Sequence, residues 1–139
     1  MPLTGDHFER HFFDKISYIF LSILRKMMEY FIDAFRKYAE FNGRASRKAY
    51  WMYYLFYLLF YLVAGGLDAF GGAGLFFALY CLTVLVPGIA ITARRLHDTD
   101  RSGWWQLIYL IPVIGWIVML VFLLQDSQPD NEYGNRPLS

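Results

Sequence analysis

Three stretches of the chain contain no Asp, Glu, Lys, Arg or His, and they constrain the fold more than any other feature. They cover residues 49–67, 71–93 and 103–125. A helix needs about 20 largely apolar residues to cross a hydrocarbon core about 30 Å thick. Helices of a soluble bundle keep a polar stripe, which residues 49–67 lack. We therefore predict an all-α membrane protein with three transmembrane helices, at about 49–67, 73–93 and 104–124.

The composition agrees with this class and excludes others. Of the 139 residues, 57% are hydrophobic, and the formal net charge is only +1, so no strong field attracts nucleic acid. Cys81 is the single cysteine, which rules out an intrachain disulfide and a cysteine-based metal cluster. We expect no cofactor, no metal and no nucleic-acid partner. Residues 1–6 lack the features of a cleaved signal peptide.

Proline and glycine interrupt two of the three stretches. Pro87 and Gly88 fall in the second, and Pro112 and Gly115 fall in the third. Membrane helices tolerate both residue types when neighbouring helices satisfy the freed backbone groups. We expect kinks rather than breaks at these positions.

The basic residues predict an orientation. Twelve of the 13 Lys and Arg residues precede the first span or lie between the second and third, and the first connection holds only Asp68. Because cytoplasmic loops are enriched in Lys and Arg, we predict a cytoplasmic N-terminus and a cytoplasmic 94–101 loop. The polar tail, residues 125–139, is then expected to be periplasmic or extracellular and to lack regular secondary structure.

Aromatic residues open two of the predicted spans. Tyr50 and Trp51 begin the first, and Trp104 and Trp105 begin the third. Amphipathic rings favour the headgroup depth of a bilayer, so we predict that these four residues are interface anchors.

An amphipathic pattern precedes the spans. Apolar residues recur in steps of three or four, at Phe8, Phe12, Ile16, Ile19, Ile23, Met27, Phe31 and Phe35. This spacing predicts an N-terminal amphipathic helix lying in the headgroup plane; a partner-binding helix is the alternative. A fourth span is excluded, because the nine residues between Lys15 and Arg25 give only about 14 Å of helix.

The segment 41–50, FNGRASRKAY, joins this helix to the first span. Ser46 is a candidate N-cap. Arg44 precedes it, and Arg47 and Lys48 follow it, all at the expected membrane surface. One interpretation is that these charges anchor the topology and attract anionic lipid diffusely. The other is a defined headgroup or phosphate site, because Arg offers a bidentate fork.

The segment 94–105, RRLHDTDRSGWW, is the densest polar cluster. Its candidate residues are Arg94, Arg95, His97, Asp98, Asp100 and Arg101. Two basic segments on one face would repel each other unless carboxylates were interleaved. We therefore predict a polar network that folds this segment against residues 41–48.

A catalytic interpretation of the same segment makes His97 a general base oriented by Asp98 or Asp100. No nucleophile motif, metal-ligand spacing or phosphate-binding glycine loop accompanies the pair. A metal site would need ligands from elsewhere in the chain. The sequence therefore favours a protein that is not an enzyme.

Three motifs resemble the bacterial family known as domain of unknown function 805 (DUF805), the YhaH/YhaI type of small inner-membrane protein. They are FNGRASRKAYW, RRLHDTDRSGWWQLIYLIPVIGW and NEYGNRP, and the resemblance covers about residues 28–137. It implies a multi-pass protein of the bacterial inner membrane and supplies no catalytic residues. Residues 1–27 look like an N-terminal extension to the three-span domain, with Met27 or Met28 as an alternative start.

The sequence supports three functional hypotheses. The first is a non-enzymatic protein whose basic, aromatic cytoplasmic face binds anionic lipid headgroups or a membrane-protein partner. The second is a subunit of an oligomeric transporter or channel, although the spans lack the ionisable residues that usually mark ion pathways. The third is a membrane-surface enzyme that uses His97 and Asp98.

Overall fold

The computed structural model describes residues 3–137 and is mostly helical. Helix α1 spans Leu3–Arg36, α2 spans Arg47–Leu67, α3 spans Leu75–Asp98 and α4 spans Ile114–Leu124. A 3-10 helix, Gly103–Leu110, precedes α4. The ends of the predicted N-terminal extension and C-terminal tail, residues 1–2 and 138–139, lie outside the described residues.

Helices α2 and α3 form an antiparallel pair, and each is long and apolar enough to cross a membrane. Ser46 begins α2 by accepting a hydrogen bond from the Ala49 amide at 3.1 Å. The Asp68 carboxylate caps α3, because it accepts from the amides of Phe76 and Phe77 at 3.1 and 2.9 Å. The outer side chains of α2 are exposed leucines such as Leu62, as expected for a surface that faces lipid. Two of the predicted spans therefore match helices of the structure.

The amphipathic segment is one continuous helix. The apolar side chains of its first half, including Phe8, Phe12 and Ile16, are exposed. Its second half packs on the α2–α3 pair, where the Phe31 ring lies 5.3 Å from that of Tyr53 and 5.4 Å from that of Phe60. The predicted helix is therefore present, and its last turns belong to the bundle core.

The third predicted span, 104–124, does not form a single transmembrane helix. The 3-10 helix has 8 residues and α4 has 11, so each arm is about 16 Å long. Both ends of the segment meet, because Arg101 Nη1 donates to Gln125 Oε1 at 2.7 Å. The segment is a hairpin, and each of its arms has about half the length needed to cross a hydrocarbon core about 30 Å thick.

The break between the two arms has a local cause. Pro112 cannot continue a helix, and the next residue, Val113, has φ +64° and ψ −64°. The Ile114 amide donates to the Pro112 carbonyl at 2.7 Å, which closes a three-residue γ-turn. Gly115 then lets the second arm pass the backbone of Ile108. The expectation of kinks rather than breaks is thus wrong at this position.

Gly115→Ala tests the hairpin. An added Cβ would collide with the Ile108 carbonyl oxygen, so we expect a loss of about 1–3 kcal/mol of stability, seen as a lower thermal midpoint in detergent. Gly66→Ala is the matched control, because a Cβ there meets nothing within 4 Å. Equal midpoints for the two variants would contradict the close approach of the two arms.

Candidate functional site at the basic end of the bundle

Asp98, the last residue of α3, is the centre of a buried ionic cluster. Its side chain is 0% exposed. One carboxylate oxygen accepts from Arg44 Nε at 3.0 Å, and the other accepts from Arg95 Nη1 at 2.5 Å and from the Ser127 hydroxyl. We call Arg44, Arg95 and Asp98 the arginine cluster. It carries one net positive charge, which the surrounding carbonyl groups must stabilise.

Arg44 fixes the C-terminal tail. Its Nη1 donates to the carbonyls of Pro129 and Gly134, both at 3.0 Å, and its Nη2 donates to those of Asp98 at 3.1 Å and Gln128 at 2.5 Å. With the Nε bond, all five N–H groups of this guanidinium have acceptors. The tail is therefore bound by its backbone.

Arg95 fixes the hairpin in the same way. Its Nε donates to the Leu123 carbonyl at 3.2 Å, and its Nη2 donates to that of Gln125. The last carbonyls of a helix lack intrahelical partners and carry partial negative charge, so Arg95 caps α4. Its Nη1 also reaches the Ala45 carbonyl at 3.5 Å.

These contacts correct the predicted position of the tail. Residues 125–134 pack on Arg44, Arg95 and Arg101, so they lie at the same end of the bundle as the 94–101 segment. The tail was expected on the opposite face. The cause is the hairpin, which returns the chain to the end from which it started. Regular structure in the described tail is limited to one isolated bridge between Asn131 and Gly134.

His97 is held between the 41–46 segment and the tail. Its Nδ1 lies 2.9 Å from the Gly43 carbonyl, which accepts only, so Nδ1 carries the proton. The ring stacks on Tyr133 with centroids 4.0 Å apart, and burial together with Glu132 raises the pKa of this phenol. The Asn131 amide donates to the His97 carbonyl at 3.0 Å. The structure thus orients the imidazole with a backbone carbonyl, whereas the catalytic interpretation used Asp98 or Asp100.

The other predicted site residues lie around the cluster. Arg47 pairs with Asp126 at 2.8 Å, with both side chains exposed. Lys48 lies 5.6 Å from the ring centroid of Tyr30 on α1. Arg101 stacks over Phe122, besides its bond to the tail. Asp100 is exposed and has a left-handed backbone, φ +61°.

The four predicted interface anchors differ in exposure: Trp104 and Trp105 are exposed, Trp51 is half-buried and Tyr50 is buried. Trp104 is 78% exposed, and Trp105 is also exposed on the hairpin. Tyr50 is only 3% exposed, because its ring packs between Trp51 at 5.1 Å and Tyr54 at 4.7 Å. The anchor prediction is therefore wrong for Tyr50, which is a core residue.

Sequence reasoning missed the contribution of the tail to this site. The residues concerned are Gln125, Ser127, Gln128, Pro129, Asn131, Tyr133 and Gly134. The motif NEYGNRP was the available signal, because a loose solvated tail needs no such motif. Its Asn131, Tyr133 and Gly134 all bind the arginine cluster or His97.

An open groove of about 780 Å³ lies between α1 and α2 at the same end of the bundle. Its polar lining carries three basic and two acidic side chains: Lys26, Arg36, Lys48, Glu29 and Asp33. Apolar side chains line it as well: Ile23, Met27, Tyr30 and Met52. Such a mixed lining suits an amphiphile. Within residues 3–137, no group of three or more His, Cys, Asp or Glu is placed to hold a metal ion.

Comparison with known proteins gives close relatives. A family model described as protein of unknown function (DUF805) matches residues 38–135. The chain is 42% identical over 117 residues to inner membrane protein YhaH of Escherichia coli (strain K12), covering 79% of the chain and 97% of that protein. It is 39% identical over 113 residues to inner membrane protein YhaI of the same strain, covering 79% and 96%. No solved structure matches the chain.

Proposed function

Because the chain belongs to the DUF805 family and is similar to the inner membrane proteins YhaH and YhaI, we propose that it is a non-enzymatic inner-membrane protein that binds lipid headgroups at its basic end. The observation that carries this proposal is the open groove between α1 and α2. There, Lys26, Arg36 and Lys48 lie beside apolar side chains. The basic groups complement a charged headgroup, and the apolar side chains complement an acyl chain.

Two arginines of the arginine cluster are excluded as binding groups for such a ligand. Arg44 and Arg95 have side chains that are 2% and 0% exposed, and both are fully engaged by Asp98 and backbone carbonyls. They are therefore structural. The basic groups that line the open groove are Lys26 and Arg36 on α1 and Lys48 on the first turn of α2. Lys37 partly offsets Asp33 through an ion pair of 3.4 Å.

We also propose that the basic end faces the cytoplasm. With the tail packed at this end, Arg136 joins the other basic residues, and none of the 13 Lys and Arg residues lies in the turn 68–74 that joins α2 to α3. In this orientation no Lys or Arg residue lies in the non-cytoplasmic connection, as the positive-inside rule requires. In this orientation the exposed Trp104 and Trp105, which begin the hairpin, would lie at the depth where indole rings anchor.

Removal of the three basic groups that line the groove tests lipid binding. In a Lys26→Gln, Arg36→Gln, Lys48→Gln variant, we expect the affinity for phosphatidylglycerol to fall about fivefold for each charge, since one basic group contributes about 1 kcal/mol at a membrane surface. The measurement is a titration of short-chain phosphatidylglycerol into detergent-solubilised protein, followed by native mass spectrometry.

The matched control removes the same number of charges from exposed positions of α1 outside the groove, as Arg10→Gln, Lys15→Gln, Arg25→Gln. We expect a smaller loss, because these side chains do not line the groove. Equal losses in both variants would point to diffuse attraction alone. An unchanged affinity in the groove variant would remove the proposal.

A further inference from the structure

The first half of α1 has an apolar side that no other part of the described chain covers. We call residues 5–21 the N-terminal segment, and every residue in it is exposed. Its large apolar side chains are between 46% and 71% exposed on one side of the helix: Phe8, Phe12, Phe13, Ile16, Ile19 and Phe20. Contiguous exposed apolar surface marks a site of contact with another molecule or with a membrane.

The opposite side of this helix is polar. With about 3.6 residues per turn, one stripe holds His7, His11, Asp14, Tyr18, Ser22 and Arg25. Glu9 and Leu21 are the exceptions to this separation of the two sides. The apolar side includes neighbouring pairs, Phe12–Phe13 and Ile19–Phe20, so it is broader than the narrow seam by which coiled-coil helices pair. Its width suits a flat lipid surface better than a second helix.

The contact between α1 and α2 fixes the depth at which the N-terminal segment starts. The Tyr30 ring lies 5.6 Å from Lys48 Nζ, and Lys48 lies in the first turn of α2, next to the charge-free stretch. The Phe31 ring stacks on that of Tyr53, which is about 8 Å further along α2. In a bilayer that α2 crosses, α1 therefore meets it where headgroups give way to acyl chains. Interfacial helices bury their apolar side about 5–10 Å into this boundary.

The apolar side of the N-terminal segment continues a surface that is already packed. Helix α1 is one continuous helix, Leu3–Arg36. Its apolar residues run on through Ile23 and Met27 to Phe31 and Ala34, which pack on the core of the bundle. One side of α1 thus contacts a membrane-spanning pair in its second half and is uncovered in its first half. Lipid is the material that adjoins such a pair in a membrane.

The charges of the N-terminal segment indicate which force holds it to lipid. Arg10 and Lys15 are its basic residues, and Asp6, Glu9 and Asp14 are its acidic ones, so it has no excess of positive charge. The affinity of an amphipathic helix for a membrane comes from apolar burial and from attraction to anionic lipids. Apolar burial is therefore the driving force for this segment.

We propose that the N-terminal segment lies on the bilayer surface at the basic end of the bundle, with Phe12, Ile16 and Ile19 among the acyl chains and with His11 and Tyr18 towards water. Apolar burial holds it there without a requirement for anionic lipid. The proposal goes beyond headgroup binding in the open α1–α2 groove, because residues 5–21 do not line that groove. The segment anchors the protein to one leaflet in addition to α2 and α3.

The test places a nitroxide spin label at single cysteines along the segment, in the full chain with Cys81→Ala, reconstituted into bilayer nanodiscs. Labels at Phe12→Cys and Ile19→Cys should collide with dissolved oxygen, which concentrates among acyl chains, and should be shielded from a water-soluble nickel chelate. Labels at His11→Cys and Ser22→Cys should show the reverse. Over residues 8–22, the two accessibilities should oscillate in opposite phase with a period of about 3.6 residues.

Two outcomes of this scan would overturn the proposal. Labels that are all open to the nickel chelate would place the segment in water. Labels on the apolar side that are shielded from both reagents would mean that a second copy of the chain covers this side instead of lipid.

Paired substitutions test the apolar side directly. Phe12→Glu with Ile16→Glu should expose the Ile19→Cys label to the nickel chelate, because the loss of each buried side chain shifts the ratio of bound to free segment about tenfold or more. His11→Glu with Tyr18→Glu is the matched control and should leave the label in lipid. All four positions are exposed, so the bundle stays folded. Equal exposure of the label in both variants, or a label that stays in lipid in the first, would overturn the proposal.

The lipid composition separates apolar burial from charge. Nanodiscs of phosphatidylcholine alone should hold the segment as well as nanodiscs that contain phosphatidylglycerol. Insertion that needs phosphatidylglycerol would overturn the assignment to apolar burial. The Lys26, Arg36 and Lys48 variant should keep the segment inserted, and the Phe12→Glu, Ile16→Glu variant should keep its affinity for added phosphatidylglycerol. Failure of the groove proposal and failure of this one are therefore distinguishable.

Discussion

Replacing Asp98 with asparagine is expected to destabilise the folded protein by about 3–5 kcal/mol, the cost of breaking a buried ionic cluster by removing one partner. The carboxylate is 0% exposed and accepts from Arg44, Arg95 and Ser127. The asparagine amide keeps the size of the side chain but leaves two buried guanidinium groups without their counter-charge. Thermal unfolding in mild detergent, followed by circular dichroism, measures the loss.

The matched control is Asp126→Asn, which breaks the exposed pair with Arg47. Exposed pairs contribute about 1 kcal/mol at most, so its midpoint should lie close to that of the wild type. If Asp98→Asn and Asp126→Asn shift the midpoint equally, the arginine cluster does not stabilise the fold. A double variant with Arg44→Met should lose less than the sum of the single losses, because both changes act on one network.

The second large effect concerns the tail, which should be labelled from the same side of the membrane as the 94–101 segment. In a Cys81→Ala background, Glu132→Cys should be protected from a membrane-impermeant maleimide in cells with a permeabilised outer membrane, and labelled after lysis. Phe70→Cys, in the turn between α2 and α3 at a position 94% exposed, should be labelled in the same cells before lysis. The difference is all or none, because the bilayer excludes the reagent.

The hairpin is the physical reason for this expectation. Both of its ends contact each other through Arg101 and Gln125, and the tail continues onto Arg44. Labelling of Glu132→Cys from outside would show that the segment 103–125 crosses the bilayer and that the tail contacts are absent in the membrane. A Lys37→Cys variant at the end of α1 serves as the protected reference.

The two spanning helices were predictable because a membrane imposes a simple rule. A long segment without charges must satisfy its backbone internally, and a helix does so. Residues 49–67 and 73–93 obey this rule, and α2 and α3 extend them into the flanking basic residues. The third stretch has the same apolar character but folds back, because Pro112, Val113 and Gly115 act on local backbone geometry, to which hydropathy is insensitive.

The arginine cluster was predictable only in part. The need for carboxylates between two basic segments indicated that residues 94–105 would fold against residues 41–48. It did not single out the pairing of Asp98 with Arg44, 54 positions away in sequence. The partners in the tail were not indicated, because they are backbone carbonyls of Gln125, Gln128, Pro129 and Gly134. A carbonyl is present at every residue, so its use depends on chain path rather than residue type. The burial of Arg94 Nε and Nη2 without a hydrogen-bond partner among the described residues is likewise visible only once the burial of each atom is known.

The short hairpin also gives the molecule an unequal shape across a bilayer. In a bilayer that α2 and α3 are long enough to cross, the two arms would add their cross-section to one half of the hydrocarbon core only, because each arm has about half the length of a span. Lipids would then be displaced from one leaflet in greater number than from the other. A protein that is wider in one leaflet than in the other has the shape of a wedge. Many copies in the same orientation would favour bending of the membrane towards the leaflet in which the protein is narrower.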